Sequence, residues 1–241
     1  RQHHSAPTDG CGLRLVTRSF AVVDRPYVSG PLADALVELR VPTLVRSPVL
    51  VLPREAEIDR LGEDAFFAAV AAEGHPLLYT NSEDALVDVI RHCGGTELGR
   101  RLQVAKNKAL MRELLRPLFP DLWFRRMSVA EVARARAEEL QFPLVAKPAI
   151  GFFSVAVVTA ATPQEWPAAR ASLLAALEES SGLFEESVLD TSEILLEEQV
   201  TGEEYAVDVY YSAEGIPVLL NVMHHLFRDA ADTDDKIYLT Y

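Results

Sequence analysis

The chain has 241 residues, 49% of them hydrophobic and 24% charged, with a formal net charge of −13. That is a globular composition, long enough for one large domain or two small ones. The acidic balance excludes nucleic acid as the main partner, since a phosphate backbone demands a basic face. No apolar run approaches the roughly 20 residues of a membrane-spanning helix. Cys11 and Cys93 form neither a zinc spacing nor a CxxC pair, which suits a reducing cytoplasm while leaving one disulfide open. There is no secretory signal pattern. The chain begins without methionine, so its start is expected to lie upstream, and residues 1–18, with His3 and His4, read as a tail.

Residues 19–23 (SFAVV) predict a strand. A helix follows over ADALVELR, with Ser29 as its cap and Pro31 in its first turn. Further along come a strand at 43–52, a helix at 63–73, a strand at 77–80 and a helix at 82–92 opened by Ser82. Strands alternating with helices imply a parallel sheet covered by helices. The outline is Rossmann-like, but it lacks the GxGxxG dinucleotide fingerprint. GGTELGRR at 94–101 punctuates the chain and places a domain boundary near 103.

Beyond that boundary KNKALMRELLRPLF predicts an amphipathic helix bearing Lys106, Lys108 and Arg112 and ended by Pro117 and Pro120. A strand at 122–127 precedes a helix from Ser128 to about Leu140, opened by a Ser128–Glu131 capping box. Strands at 143–147 and 155–159 follow, then a helix over 163–179 with Thr162 as N-cap and Pro163 at its first position. Strands at 193–198, 203–211 and 216–223 complete the pattern. Runs of strands with segregated helices make this half α+β.

Two stretches carry chemistry. In FPLVAKPAIGFFSVAVV, Lys147 ends a run of strand residues, where a lysine is seldom fully buried. The loop after it offers the close backbone approach of Gly151 and the hydroxyl and amide of Ser154. Such a loop can fold over phosphate, exposed N–H groups and one lysine sharing the charge. The same pattern also fits a hairpin turn whose lysine reaches solvent. In LLEEQVTGEEYAVDV, strand alternation puts Glu197 and Glu198 on opposite faces, so that one points inward. An inward carboxylate can accept from an amino group or a ribose hydroxyl. Two solvated acidic strand ends around a turn are the alternative.

Taken in order and spacing, KNKALMRELL, FPLVAKPAIGFFSVAVV and EILLEEQVTGEEYAVDVYY resemble the ATP-grasp superfamily, over residues 104–223. The resemblance implies an α/β chain: a Rossmann-like domain at 19–103, then an ATP-grasp domain from 104 to 241 that stops short of its C-terminal end. It implies ATP as cofactor. Lys108 and Lys147 would contact the phosphates, and Gly151 to Ser154 would lie in the loop that closes over them. Glu197 would sit near the adenine amino group, Val200 would pair with adenine through its backbone, and Glu204 would bind the ribose. The activity implied is ligation: a carboxylate phosphorylated by ATP with Mg²⁺, then attacked by an amine or other nucleophile. Partners would be small-molecule substrates, with no nucleic acid or membrane; the setting would be cytoplasmic, and a homo-oligomer is compatible with all of this. A non-catalytic nucleotide-binding or regulatory module on the same fold is the alternative.

The chain departs from the family in two places. Phe152 and Phe153 stand in a loop that is usually richer in glycine. The family's magnesium ligands and catalytic arginine have no counterpart before the chain ends in HHLFRDAADTDDKIYLTY. His224, His225, Asp229, Asp232, Asp234 and Asp235 suggest a metal site, but a solvated acidic loop is the better reading of that run. Arg228 has no assigned task. This length of chain is therefore expected to bind nucleotide while lacking the ligands for phosphoryl transfer.

Overall fold

The computed structural model describes residues 18–74, 76–151, 155–180, 190–212, 214–227 and 237–240. The chain forms two compact units, one ending at Thr80 and the other beginning at Asn81.

In the first unit β1 (Ser19–Val23), α1 (Gly30–Glu38), β2 (Thr43–Val45), α2 (Glu63–Ala72) and β3 (Leu77–Thr80) build a parallel sheet in the order β2-β1-β3. Central β1 is buried on both faces and so reads as an unbroken apolar run. Its Ala21 and Val23 join Ala33 and Leu36 of α1 in one core, while Phe20 meets Phe66 of α2 edge-on at 5.8 Å. The Ser29 hydroxyl accepts from Leu32 N at the start of α1, with proline in the first turn, as the sequence predicts. The expected strand 43–52 is shorter. Its ladder stops at Val45, opposite Val23 where β1 itself ends, and the chain then turns, Leu50 N donating to Ser47 O at 3.2 Å. Leu50 and Leu52 stay buried, so their apolar pattern belongs to a loop lying on the core.

The second unit opens with α3 (Glu83–Cys93), capped by Ser82, and α4 (Glu97–Lys106), capped by Thr96. The sequence boundary near 103 thus falls inside a helix. Thr96 and the Glu97 pairs to Arg100 and Arg101 carry the chain from the double glycine straight into α4. Gly99 is where α4 touches the end of α3. A Cβ there would lie 2.0 Å from Cys93 O and 2.7 Å from Gly94 Cα. Both are backbone atoms, so Gly99→Ala must push the helices apart. A loss of about 3 kcal/mol is expected in urea unfolding, at the upper end of overpacking costs.

Next come α5 (Lys108–Leu115), β4 (Phe124–Ser128), α6 (Val129–Arg134), β5 (Leu144–Ile150), β6 (Val158–Ala160), α7 (Trp166–Ser180) and β7 (Asp190–Glu198). The four strands form an antiparallel sheet in the order β4-β7-β5-β6. The capping box at Ser128 and Glu131 is present, but α6 ends at Arg134, short of the expected Leu140. The reason is tertiary: Ala135 O accepts from Trp166 Nε1 at 3.1 Å and from Arg170 Nη1 at 2.8 Å, both of α7. The start of α7 lies three residues beyond the predicted Pro163. Glu165 draws residues 163–165 into a turn by accepting from Ala161 N and the Thr162 hydroxyl. Finally β8 (Tyr205–Tyr211), β9 (Pro217–His225) and β10 (Tyr238–Thr240) make a second antiparallel sheet, ordered β10-β9-β8. No helix among the described residues is long and apolar enough to cross a membrane.

Candidate functional site

Strand alternation sorts the central strands β5 and β7 into a core face and a site face. Leu144, Ala146, Ile194 and Leu196 enter the core shared with Val132 of α6 and Trp166 and Leu173 of α7. The residues between them, Val145, Lys147, Leu195 and Glu197, project from the opposite face. In register Val145 stands opposite Glu197, and Lys147 opposite Leu195. The helix α5 covers this second face through a small contact of Ala109, Ala149 and Leu195, all fully buried. Small side chains at that contact let the helix lie close. Its N-terminus is capped by Asn107, whose Oδ1 accepts from Ala109 N and Leu110 N. Four residues apart, Lys108 and Arg112 share one face of α5, and both meet the strands.

Glu197 is the inward member of its pair, 4% exposed. Its Oε1 is 2.6 Å from Lys147 Nζ, and its Oε2 accepts from Arg112 Nε at 2.5 Å. Lys108 Nζ donates to Gly151 O at 2.8 Å, which ties the helix to the first residue of the loop after β5. Lys106 pairs with Glu83 alongside. The group gathers four cations around two carboxylates, in a chain whose overall charge is strongly negative. The chain's lysines are Lys106, Lys108, Lys147 and Lys236, and the first three belong here.

The field leaves its mark on titration. Burial pushes the Lys108 ammonium below its ordinary pKa, and the charges of Lys147 and Lys106 push it further, against Glu83 and Glu197. Burial acts upward on the Glu197 carboxyl, but the Arg112 hydrogen bond and the Lys147 charge overcome it and hold the group below its usual range. Lys108 therefore sits in a place that disfavours its own charge, and an added anion would relieve it.

The structure brings Lys108, Lys147, Gly151 and Glu197 together. Val200 is exposed just past the end of β7, whose pairing runs on as far as Gln199 N donating to Pro143 O. Glu204 belongs to a separate group: its Oε1 lies 2.9 Å from Nδ1 of His225. Ser154, Phe152 and Phe153 fall outside the described residues, as do Arg228 and the acids 229–235. Among the described residues no group of three or more His, Cys, Asp or Glu is placed to hold a metal ion. Sequence reasoning passed over Arg112 as one more basic residue of an amphipathic helix. The four-residue step from Lys108 was the available signal. Both oxygens of Glu197 already accept from cations, so a contact with an adenine amino group would use their remaining lone pairs.

The cations thus gather between a capped helix and an antiparallel sheet. Residues 140–241 match the family model of the ATP-grasp domain. The match takes in Lys147, Glu197, Val200 and Glu204 and begins after α5. Among solved structures the chain is similar to the L-amino acid ligase from Bacillus licheniformis, with 17% identity and a TM-score of 0.62, over 92% of this chain and 56% of that one. It is also similar to the ADP complex of purK, an N5-carboxyaminoimidazole ribonucleotide synthetase, with 15% identity and a TM-score of 0.57, over 90% and 56% of the chains. A third likeness is to the biotin carboxylase domain of the Hydrogenobacter thermophilus 2-oxoglutarate carboxylase, a dimer in complex with MgADP, ADP and bicarbonate. There the identity is 13% and the TM-score 0.52, over 85% and 50%. The chain thus spans just over half the length of the first two. No curated protein matches it. The mixed α/β fold class expected from the sequence is the one observed.

Proposed function

We propose that the chain is the nucleotide-binding part of a cytoplasmic ATP-dependent ligase that joins a carboxylate to an amine or another nucleophile. One observation carries this reading: Lys108, donating to Gly151 O at the start of the loop after β5, and Lys147, paired with Glu197 on β7, stand against the face of the sheet that α5 covers. In this reading residues 19–103 are the Rossmann-like domain that precedes the grasp, and 104–241 belong to the grasp itself.

Lys108 and Lys147 act as point charges on the phosphates. Held by Gly151 O and Glu197, they reach the transferred group without reorganising. Glu197 and Arg112 fix the direction of Lys147, Val200 offers its backbone to adenine, and Glu204 accepts from the ribose. Gly151 and Ser154 belong to the loop over the phosphates. The substrate carboxylate oxygen attacks the γ-phosphorus, the bond to the β–γ bridging oxygen breaks, and ADP leaves. The amine then attacks the acyl carbon, phosphate departs with the bonding pair, and the amine proton passes to solvent. Magnesium accompanies ADP in one of the similar structures, but no ligand set for it stands among the described residues, and no step is assigned to it.

The test is ADP release from MgATP in the presence of carboxylate and amine pairs. Release that depends on both substrates supports a ligase. Binding of ATP with no release, whatever the pair, supports a non-catalytic module. Absence of ATP binding contradicts both. A second expectation concerns protons. A polyphosphate restores the Lys108 ammonium, so ATP binding at about pH 9 to 10, near the ordinary lysine pKa, takes up protons. Calorimetry in two buffers of different ionisation enthalpy reads that uptake, and Lys108→Arg abolishes it. Linkage in the free protein has the opposite sign: folding depresses the lysine pKa and releases protons, so stability rises with pH through that window, whereas ATP affinity falls.

A further inference from the structure

We propose that His225 positions Glu204 for the nucleoside; the inference rests on the ribose assignment of Glu204 made above. His225 closes the central strand β9, opposite Tyr238 of β10 in the ladder and one step past the Tyr205–His224 pair with β8. Its backbone N donates to Glu204 O at 2.9 Å, and its Nδ1 lies 2.9 Å from Glu204 Oε1. The histidine side chain is 4% exposed, whereas that of Glu204 is 63% exposed. Phe227 lies 4.0 Å from the imidazole centroid, and Tyr238 stacks on it at 4.7 Å with 23° between planes. The ring is therefore locked from two sides and grips one oxygen of a carboxylate whose remainder faces solvent.

That asymmetry is what a positioned acceptor needs. With Nδ1–H donating to Oε1, the second oxygen keeps its lone pairs for the hydroxyls of a vicinal diol. A glutamate on an open strand end loses rotamer freedom when it engages a ligand, and a side chain already held loses less.

The test compares the affinity of ATP with that of 2′,3′-dideoxy-ATP by calorimetry, where the stoichiometry also reports the folded fraction. His225→Phe keeps the ring packing and removes the donor. It is expected to weaken ATP about 3- to 10-fold, the effect of freeing one flexible side chain, and to leave dideoxy-ATP unchanged. His225→Asn, which places an N–H near the Nδ1 position, recovers most of the loss. Equal weakening of both nucleotides, or no change in either, overturns the proposal while the ribose assignment stands, provided Glu204→Gln still collapses the difference. A wild-type protein that binds both nucleotides alike, or a Glu204→Gln variant that keeps the difference, removes the ribose assignment and the proposal with it.

Discussion

Lys147→Ala is expected to weaken ATP binding roughly 10- to 100-fold in calorimetry, the range for a charge-assisted hydrogen bond lost from a partly enclosed site. The effect should fall on ATP and ADP and spare adenosine, because the missing group faces phosphate. Lys147→Arg keeps the charge and the Glu197 contact but changes its reach, so it should recover only part of the affinity. The thermal melt separates binding from folding. Affinity unchanged in Lys147→Ala would remove this residue from the site. Equal losses for adenosine and ATP would point instead to a general collapse around β5.

The second large effect is on stability. Glu197→Gln leaves Arg112 and Lys147 facing one another without their shared anion. Breaking a buried pair costs about 3–5 kcal/mol. Arg112 and Lys147 are 29% and 22% exposed, so solvent screening sets the expectation at the low end, about 3 kcal/mol from the shift in urea midpoint at neutral pH. The pH dependence has a defined sign. The folded Glu197 pKa is depressed, so its contribution is complete above the unfolded value and is lost as pH falls through the folded one. The gap between wild type and Glu197→Gln should hold through neutral pH and begin to close below about pH 4. A gap that closed near pH 6 would mean that the carboxyl titrates high, as an unpaired buried acid does, and that its two cations contribute little.

Local signals were legible in the sequence. Ser29, Ser82 and Ser128 cap helices where their patterns predict, because a cap involves only a few neighbouring residues. Strand alternation foretold that one of Glu197 and Glu198 turns inward, and it also separates Lys147 from the core residues Leu144 and Ala146. What could not be read depends on distant partners. The helix after Ser128 stops early because Trp166 and Arg170, thirty-one and thirty-five residues beyond Ala135, claim its carbonyl. Arg112 looks like any basic residue of an amphipathic helix until α5 is laid on β5 and β7. The Glu204–His225 pair needs the return of β9 alongside the start of β8, a register that a one-residue shift would abolish. The apolar residues of 43–52 mislead for a related reason: a loop that packs on the core carries the same composition as a strand.

The most direct measurement is covalent labelling with an acyl-phosphate derivative of ATP. Such a probe transfers its acyl group to a lysine amine beside the bound phosphates, releases the nucleotide, and leaves an amide that peptide mass spectrometry can place. With four lysines in the chain, the outcome is sharply defined. Modification concentrated on Lys108 and Lys147, and suppressed by excess free ATP, is the predicted result. Labelling spread onto Lys106 and Lys236, or insensitive to competing ATP, would contradict the convergence of the two ammonium groups on one polyphosphate.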